Sequence, residues 1–290
     1  MIVFGGSAST GLAAEVAEAL GCEQGRAAVK TFPDGELFVK IESRVEKGDE
    51  ALVVQSTSRP QNRNIMELLF LLDALQEMGA RTAAIIPYYG YGRQDRAFEE
   101  GEAVSSKVVA RHIQLSAERV LTINPHKEHI LHYFDIPASS ADAAPAIGRY
   151  FKEKGLERPL VVAPDAGSKA LAQTVAETLG CRCGNCQKRR LGPGRVVTSA
   201  EGLELSGETV IIVDDIIDSG GTIVEASKAL KAGGAGPIHV ACIHPVLTGN
   251  AAQRILDHAR ELVATNTIDS EYSRISVAPL IAEAVRKWNL

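Results

Sequence analysis

Apolar residues along this 290-residue chain fall into two alternating patterns. One is a short unbroken run, seen at Ile2 to Phe4, Ala51 to Val54, Thr82 to Ile86, Val120 to Ile123, Leu160 to Ala163, Val210 to Val213 and Ile238 to Ile243. Runs of this length, rich in β-branched residues, predict strands covered on both faces. The other is a longer stretch with apolar residues every three or four positions. It predicts helices over Gly11 to Leu20, closed by Gly21, over Asn64 to Met78, closed by Gly79, and over about Thr222 to Lys231. Strand and helix in alternation predict an α/β fold of mostly parallel sheets flanked by helices. Thr31 to Val45 departs from the rule, because Leu37, Val39 and Ile41 alternate as in an exposed strand beside a loop.

In the helix over Asn64 to Met78, Ile65, Leu68, Leu69, Leu72 and Leu75 form one stripe, with Phe70 and Leu71 outside it. A helix apolar on more than one side is expected between layers or against another subunit, which points to a homo-oligomer, at least a dimer. The two halves of the chain also correspond. Each has a strand running into an unusual polar loop, Pro87 to Arg96 in the first and Asp214 to Thr222 in the second. A boundary near Pro145 predicts two domains, 1–145 and 146–290, with the last ~12 residues open to packing on the N-terminal domain.

Composition narrows the function. A hydrophobic share of 45% supports two ordinary cores, and the net charge of −5, from 31 basic and 36 acidic side chains, opposes a nucleic-acid partner. No run reaches the roughly 18 apolar residues of a membrane span, and Met1 to Gly6 has no charged leader region, so a cytoplasmic protein without a membrane partner is expected. Cys181, Cys183 and Cys186 crowd together. Three cysteines without a nearby histidine fit a structural zinc site less well than a strand carrying small apolar side chains.

The chemistry concentrates at strand ends. Asp214 and Asp215 end an apolar run and are followed by Asp218-Ser219-Gly220-Gly221-Thr222. In open α/β sheets ligands sit beyond the carboxyl ends of strands, and successive backbone N–H groups at a Gly-rich helix start hold phosphate. Carboxylates beside such a turn suit sugar hydroxyls, so a phosphorylated sugar with a free diol satisfies both halves. The plainer alternative is a helix cap at Ser219 or Thr222 with solvated aspartates. "PYYGYGRQDRAF" sets Arg93 and Arg96 around Gln94-Asp95 on a loop, where guanidinium forks suit a polyphosphate. His126 and Asp165 each stand just after a strand and are candidates for a divalent cation, Mg²⁺ foremost. Lys188-Arg189-Arg190, before Leu191-Gly192-Pro193-Gly194, reads as a basic flexible loop able to close over phosphates. His129 and His132 read as ordinary surface or packing residues.

Together, "FPDGE" (32–36), "NIMELLFLLDAL" (64–75), "IPYYGYGRQDR" (86–96), "NPH" (124–126), "APD" (163–165), "KRR" (188–190) and "VDDIIDSGGT" (213–222) resemble the ribose-phosphate pyrophosphokinase family, in family order and over nearly the whole chain. The resemblance implies two tandem type I phosphoribosyltransferase-like domains and transfer of the β,γ-diphosphoryl group of ATP to the 1-hydroxyl of ribose 5-phosphate. It implies that Phe32, Asp34, Gly35 and Glu36 hold the adenine, and that Arg93, Gln94 and Arg96 grip ATP. His126 and Asp165 would position Mg²⁺, and Lys188 and Arg190 would be the catalytic cations, Arg190 also meeting ribose 5-phosphate. Asp214 and Asp215 would take the ribose hydroxyls, with Asp218, Ser219, Gly220, Gly221 and Thr222 around the 5-phosphate. Ser219 stands where threonine is usual, and Asn124-Pro125 is similar to archaeal rather than bacterial members. A non-catalytic regulatory paralogue and a phosphoribosyltransferase are the alternatives; the latter has no need of "FPDGE" or "GRQDR".

Overall fold

The computed structural model describes residues 1–192 and 195–288; of residues 188–192 and 195–197 the backbone alone is described. The chain divides into two compact units, the first made of Met1–Asp142, Thr267–Asp269 and Ser276–Leu290, the second of Ala143–Asn266 and Ser270–Ile275.

Unit 1 begins with β1 (Ile2–Gly5), α1 (Thr10–Leu20) and β2 (Glu23–Gly25), then an antiparallel hairpin of β3 (Ala27–Thr31) and β4 (Leu37–Ile41). It continues through β5 (Glu50–Val54), α2 (Gln61–Glu77), β6 (Arg81–Ile86), α3 (Ser105–Ile113), β7 (Arg119–Ile123), a 3₁₀ turn at Glu128–Tyr133 and β8 (Ala138–Ala141). Six strands form one parallel sheet in the order β2-β1-β5-β6-β7-β8. Phe4, Leu52, Ile85 and Leu121 are fully buried within it. The unbroken apolar runs are required because helices cover both faces of such a sheet.

Unit 2 holds α4 (Ala144–Glu153), β9 (Leu160–Ala163), α5 (Lys169–Leu179), β10 (Arg182–Asn185) and the antiparallel hairpin β11 (Gln187–Gly192) and β12 (Arg195–Ser199). Then come β13 (Val210–Ile217), α6 (Gly221–Ala232), β14 (Ile238–Pro245), α7 (Ala251–Leu256), β15 (Glu261–Thr265) and β16 (Ser273–Ile275). Its parallel sheet runs β10-β9-β13-β14-β15-β16, the same sequence of crossovers as in unit 1 with a hairpin inserted at the same point. A last helix, α8 (Ala278–Arg286), packs on α1 in unit 1, as α4 packs on α5 in unit 2.

Three local expectations change. The buried face of α2 is Asn64, Glu67, Leu68, Leu71, Leu72 and Leu75, so Leu71 belongs to the core, while Ile65 and Leu69 are half-buried. The strand expected to stop at Val213 runs on to Ile217, because Ile216 and Ile217 keep pairing with His244 and Pro245 of β14 after pairing with β9 has ended at Ile212. The basic loop over Lys188 to Gly192 is a strand, with Lys188 opposite Thr198 and Arg190 opposite Val196. Pro193 and Gly194, expected to give that loop its freedom, lie outside the described residues. Among the described residues no helix is long and apolar enough to cross a membrane.

Candidate functional site

In unit 2 the sugar-phosphate candidates gather at the carboxyl end of the sheet. Beyond Ile212, β13 has no partner on the β9 side, and Asp214 and Asp215 sit half-buried next to the loop that follows β9. The Ser168 hydroxyl of that loop donates to Asp214 Oδ1, and the Asp215 N–H donates to the same oxygen at 3.0 Å. Burial, then the charges of Asp215 and Asp165, push the Asp214 carboxyl up to about 7 against the pull of the Ser168 hydrogen bond. Asp165 Oδ1 accepts the Gly167 N–H at 2.9 Å, turning its own loop.

The segment after β13 turns into α6 through Gly220, whose φ of 75° admits glycine with little strain. Its shape is fixed from the next connection: the Thr248 hydroxyl donates to Asp218 Oδ1 at 2.7 Å, the Leu247 N–H to the Ile217 carbonyl at 2.9 Å, and Arg254 Nη1 to the Ser219 carbonyl at 3.2 Å. The N–H groups of Gly221 and Thr222 at the start of a 12-residue helix, with Ser219 exposed beside them, suit a phosphate dianion. Spacing does not single out Ser168, Thr248 or Arg254; only Ser168 lies near a motif the sequence marks, three residues after "APD".

In unit 1 the turn of the hairpin carries Phe32 to Glu36. The Phe32 N–H donates to the Glu36 carbonyl at 2.8 Å, and the Glu36 N–H to Asp34 Oδ1 at 3.1 Å. Phe32 is 50% exposed and edges onto Phe38 with centroids 6.1 Å apart. Between this turn and α2 runs a groove of about 630 Å³ lined by Gly35, Glu36, Leu37, Asn62, Met66 and Phe70 among others. Asn62 Oδ1 accepts the Tyr91 hydroxyl at 2.5 Å, which joins the groove to the loop bearing Arg93, Gln94 and Arg96.

Arg93 and Arg96 are exposed, and the Arg96 guanidinium lies 5.2 Å from the Phe98 ring centre. Gln94 is held by both ends: its carbonyl takes the Ser106 N–H and hydroxyl at the start of α3, and its amide reaches Glu102 at 3.4 Å. Between them, Asp95 is buried. Its carboxylate pairs with His129 Nε2 at 3.2 Å and its carbonyl accepts the Tyr133 hydroxyl at 2.5 Å. His129, expected to be an ordinary residue, therefore anchors the arginine loop to the 3₁₀ turn. His126 is half-buried just past β7, its Cβ 3.9 Å from where a Cβ on Gly92 would stand.

Burial raises the thiols of Cys181, Cys183 and Cys186, the last to about 11, and Cys186 belongs to the apolar core of unit 2. Among the described residues no three His, Cys, Asp or Glu side chains form a ready metal cage. Mg²⁺ needs none, since it keeps waters and takes one or two carboxylates together with substrate phosphates. Burial is the larger cause of the raised Asp214, and the crowding of Asp165, Asp214 and Asp215 that adds to it is what a divalent cation relieves.

Comparison with known proteins agrees with both halves. Residues 1–116 match the N-terminal domain of ribose phosphate pyrophosphokinase, and residues 129–277 match the phosphoribosyl transferase domain. A ribose-phosphate pyrophosphokinase of Methanobrevibacter smithii is 42% identical, covering 98% of this chain and 100% of its own. One from Bacillus caldolyticus is 40% identical, covering 95% and 90%. The crystal structure of phosphoribosylpyrophosphate synthetase from Mycobacterium smegmatis superposes with a TM-score of 0.87 at 33% identity, over 98% of this chain and 97% of that one.

Proposed function

Because the chain belongs to the ribose-phosphate pyrophosphokinase family, we propose that it transfers the β,γ-diphosphoryl group of ATP to the 1-hydroxyl of ribose 5-phosphate, giving 5-phosphoribosyl 1-diphosphate and AMP. The 1-hydroxyl oxygen bonds to the β-phosphorus as the bond from that phosphorus to the α,β-bridging oxygen breaks; AMP leaves with the bridging oxygen, and the hydroxyl proton is lost. The observation that carries the reading is the segment Asp214 to Thr222, where two carboxylates stand beside a helix start suited to phosphate.

In this reading Asp214 and Asp215 accept from the ribose hydroxyls, and Asp218 to Thr222 surround the 5-phosphate. Phe32, Asp34, Gly35 and Glu36 hold the adenine at the groove beside α2, and Arg93, Gln94 and Arg96 grip the phosphates of ATP. Asp165 in unit 2, and in unit 1 His126 directly or through water, are each suited to Mg²⁺. When bound, that ion neutralises phosphate charge; the residues supply position and a fixed electrostatic frame, which is most of what phosphoryl-type transfer asks. Lys188 and Arg190 on β11 meet the charge that develops on the transferring oxygens. Met66 and Phe70, 42% and 37% exposed along the groove that Gly35 to Leu37 of the hairpin also line, support self-association of the chain through α2 and the hairpin.

³¹P NMR of the protein with ATP, Mg²⁺ and ribose 5-phosphate tests the reading. AMP together with a diphosphate on ribose C1, absent without the sugar, is expected; intact ATP in the complete mixture would overturn it.

A further inference from the structure

Three successive carbonyls of the segment after β13 are taken from one side. The Leu247 N–H donates to the Ile217 carbonyl at 2.9 Å, the Thr248 N–H to the Asp218 carbonyl at 3.1 Å, and Arg254 Nη1 to the Ser219 carbonyl at 3.2 Å. All three donors belong to the connection that leaves β14 or to α7. Gly220 at a φ of 75° and Leu247 at 45° stand outside extended backbone, and left-handed residues of this kind let successive peptide groups face one way.

These peptides are trans, and a trans peptide points its N–H opposite to its C=O. Capture of the Asp218 and Ser219 carbonyls therefore turns the N–H groups of Ser219 and Gly220 to the other side, and they precede those of Gly221 and Thr222 at the start of α6. None of these four N–H groups donates to another described residue. One face of α7 presses on the segment: a Cβ on Gly220 would stand 3.1 Å from Ile255 Cδ1 and 3.4 Å from the Ala251 carbonyl oxygen, and Arg254, three positions after Ala251, shares that face. The Thr248 hydroxyl adds its hydrogen bond to Asp218 Oδ1 at 2.7 Å. Of the three carbonyl donors Arg254 alone is a side chain and alone carries charge. A cation bonded to a carbonyl polarises the peptide, so that its N–H donates more strongly.

We propose that Arg254 is a positioning residue for ribose 5-phosphate: by holding the Ser219 carbonyl it aims and strengthens the Gly220 N–H toward the 5-phosphate from behind the loop, without touching the substrate. The Thr248 hydroxyl has the same task at Asp218. The substrate, though not the capture of the carbonyls, rests on the function proposed above.

Steady-state kinetics of Arg254→Met and Arg254→Lys, together with amide hydrogen exchange in the absence of substrates, tests the role. In the Met variant the KM for ribose 5-phosphate is expected to rise about 5- to 30-fold, with the KM for ATP and kcat within about twofold and the melting temperature within about 2 °C of wild type. The Lys variant keeps a cationic donor and should recover most of the loss. Without substrates, peptides spanning 217–224 and 246–250 should exchange faster in the Met variant while the rest of the chain is unchanged. Thr248→Val, which keeps the N–H and loses only the hydroxyl, should raise the same KM about 3- to 10-fold. A wild-type KM for ribose 5-phosphate in Arg254→Met overturns the proposal, as does a parallel rise in both KM values or an unchanged exchange pattern. Wild-type protein that forms no 5-phosphoribosyl 1-diphosphate would count against the function proposed above, and the exchange of the Met variant would still decide whether Arg254 holds the loop.

Discussion

At Asp214, burial and the neighbouring carboxylates raise the carboxyl to about 7, so the folded chain keeps a proton that the unfolded chain, titrating near 3.8, has already lost. The stability linked to that proton is fully present below the unfolded value and is lost as pH rises through about 7. Asp214→Asn should therefore melt higher than wild type at pH 8 without ligand, by about 2–4 °C, and the difference should shrink toward pH 4. The same variant should raise the KM for ribose 5-phosphate about tenfold or more, because the amide loses an acceptor for the ribose hydroxyls. An unchanged KM would show that the loop is misassigned. His129 acts one step back from a substrate. His129→Ala removes the partner of the buried Asp95 carboxylate, and the expected result is a KM for ATP raised about 3- to 10-fold with the KM for ribose 5-phosphate unmoved. A rise in both would mean general loosening. The acidic pair and its Gly-Gly turn are legible in sequence because their chemistry is contiguous. Thr248 and His129 are not, because each acts across a connection on a residue 30 or more positions away, and no spacing rule links them.

Among the elements, α4 is tied to its sheet by one carboxylate. Glu261, at the start of β15, takes the Tyr150 hydroxyl at 2.9 Å, His239 Nδ1 at 2.8 Å and the Lys154 ammonium. Burial alone would raise Glu261, but the hydrogen bonds from Lys154, His239 and Tyr150 prevail and hold it below the usual carboxylate range. A depressed pKa stabilises above the unfolded value and is lost as pH falls through the folded one. Glu261→Gln should thus melt lower than wild type at pH 7, and the gap should close below about pH 4.5. A gap constant with pH would show that the charge contributes nothing. The elements the pattern misplaced have physical reasons. Apolar spacing misplaces the buried face of α2 because Asn64 and Glu67, both polar, occupy it while Met66 and Phe70 face outward. β13 outruns its apolar stretch because pairing to one neighbour suffices to extend a strand through two aspartates. The β11–β12 hairpin offers lysine and arginine where alternation would be sought, and the short strands β2, β8 and β16 stand at or next to a sheet edge with few apolar residues to announce them. Long buried strands and the two helices closed by glycine were legible because burial and capping are written locally.

Across the whole molecule the last helices are exchanged in sequence. α4 follows the sixth strand of unit 1 in the chain yet belongs to unit 2, and α8 follows the sixth strand of unit 2 yet belongs to unit 1. Ala278, Ile281, Ala282 and Val285 of α8 are buried, and Leu12, Val16 and Ala17 are buried on α1, against which it packs. Burying Ile281 and Val285 alone is worth roughly 3–6 kcal/mol. A chain stopped after Ile275 should accordingly lose about 10 °C or more in melting temperature, although every strand of both sheets is retained. Melting unchanged by that truncation would show α8 to be dispensable. The exchange also orders events at the ribosome, where domains generally fold as they emerge and the N-terminal one folds first. Here the first unit has its described strands by residue 141 but receives the helix that covers α1 only after the six sheet strands of unit 2 have been made. A translation product cut short anywhere before that helix carries an apolar seam on its oldest part, which marks it for chaperones and proteases as unfinished, whatever the state of the unit made last.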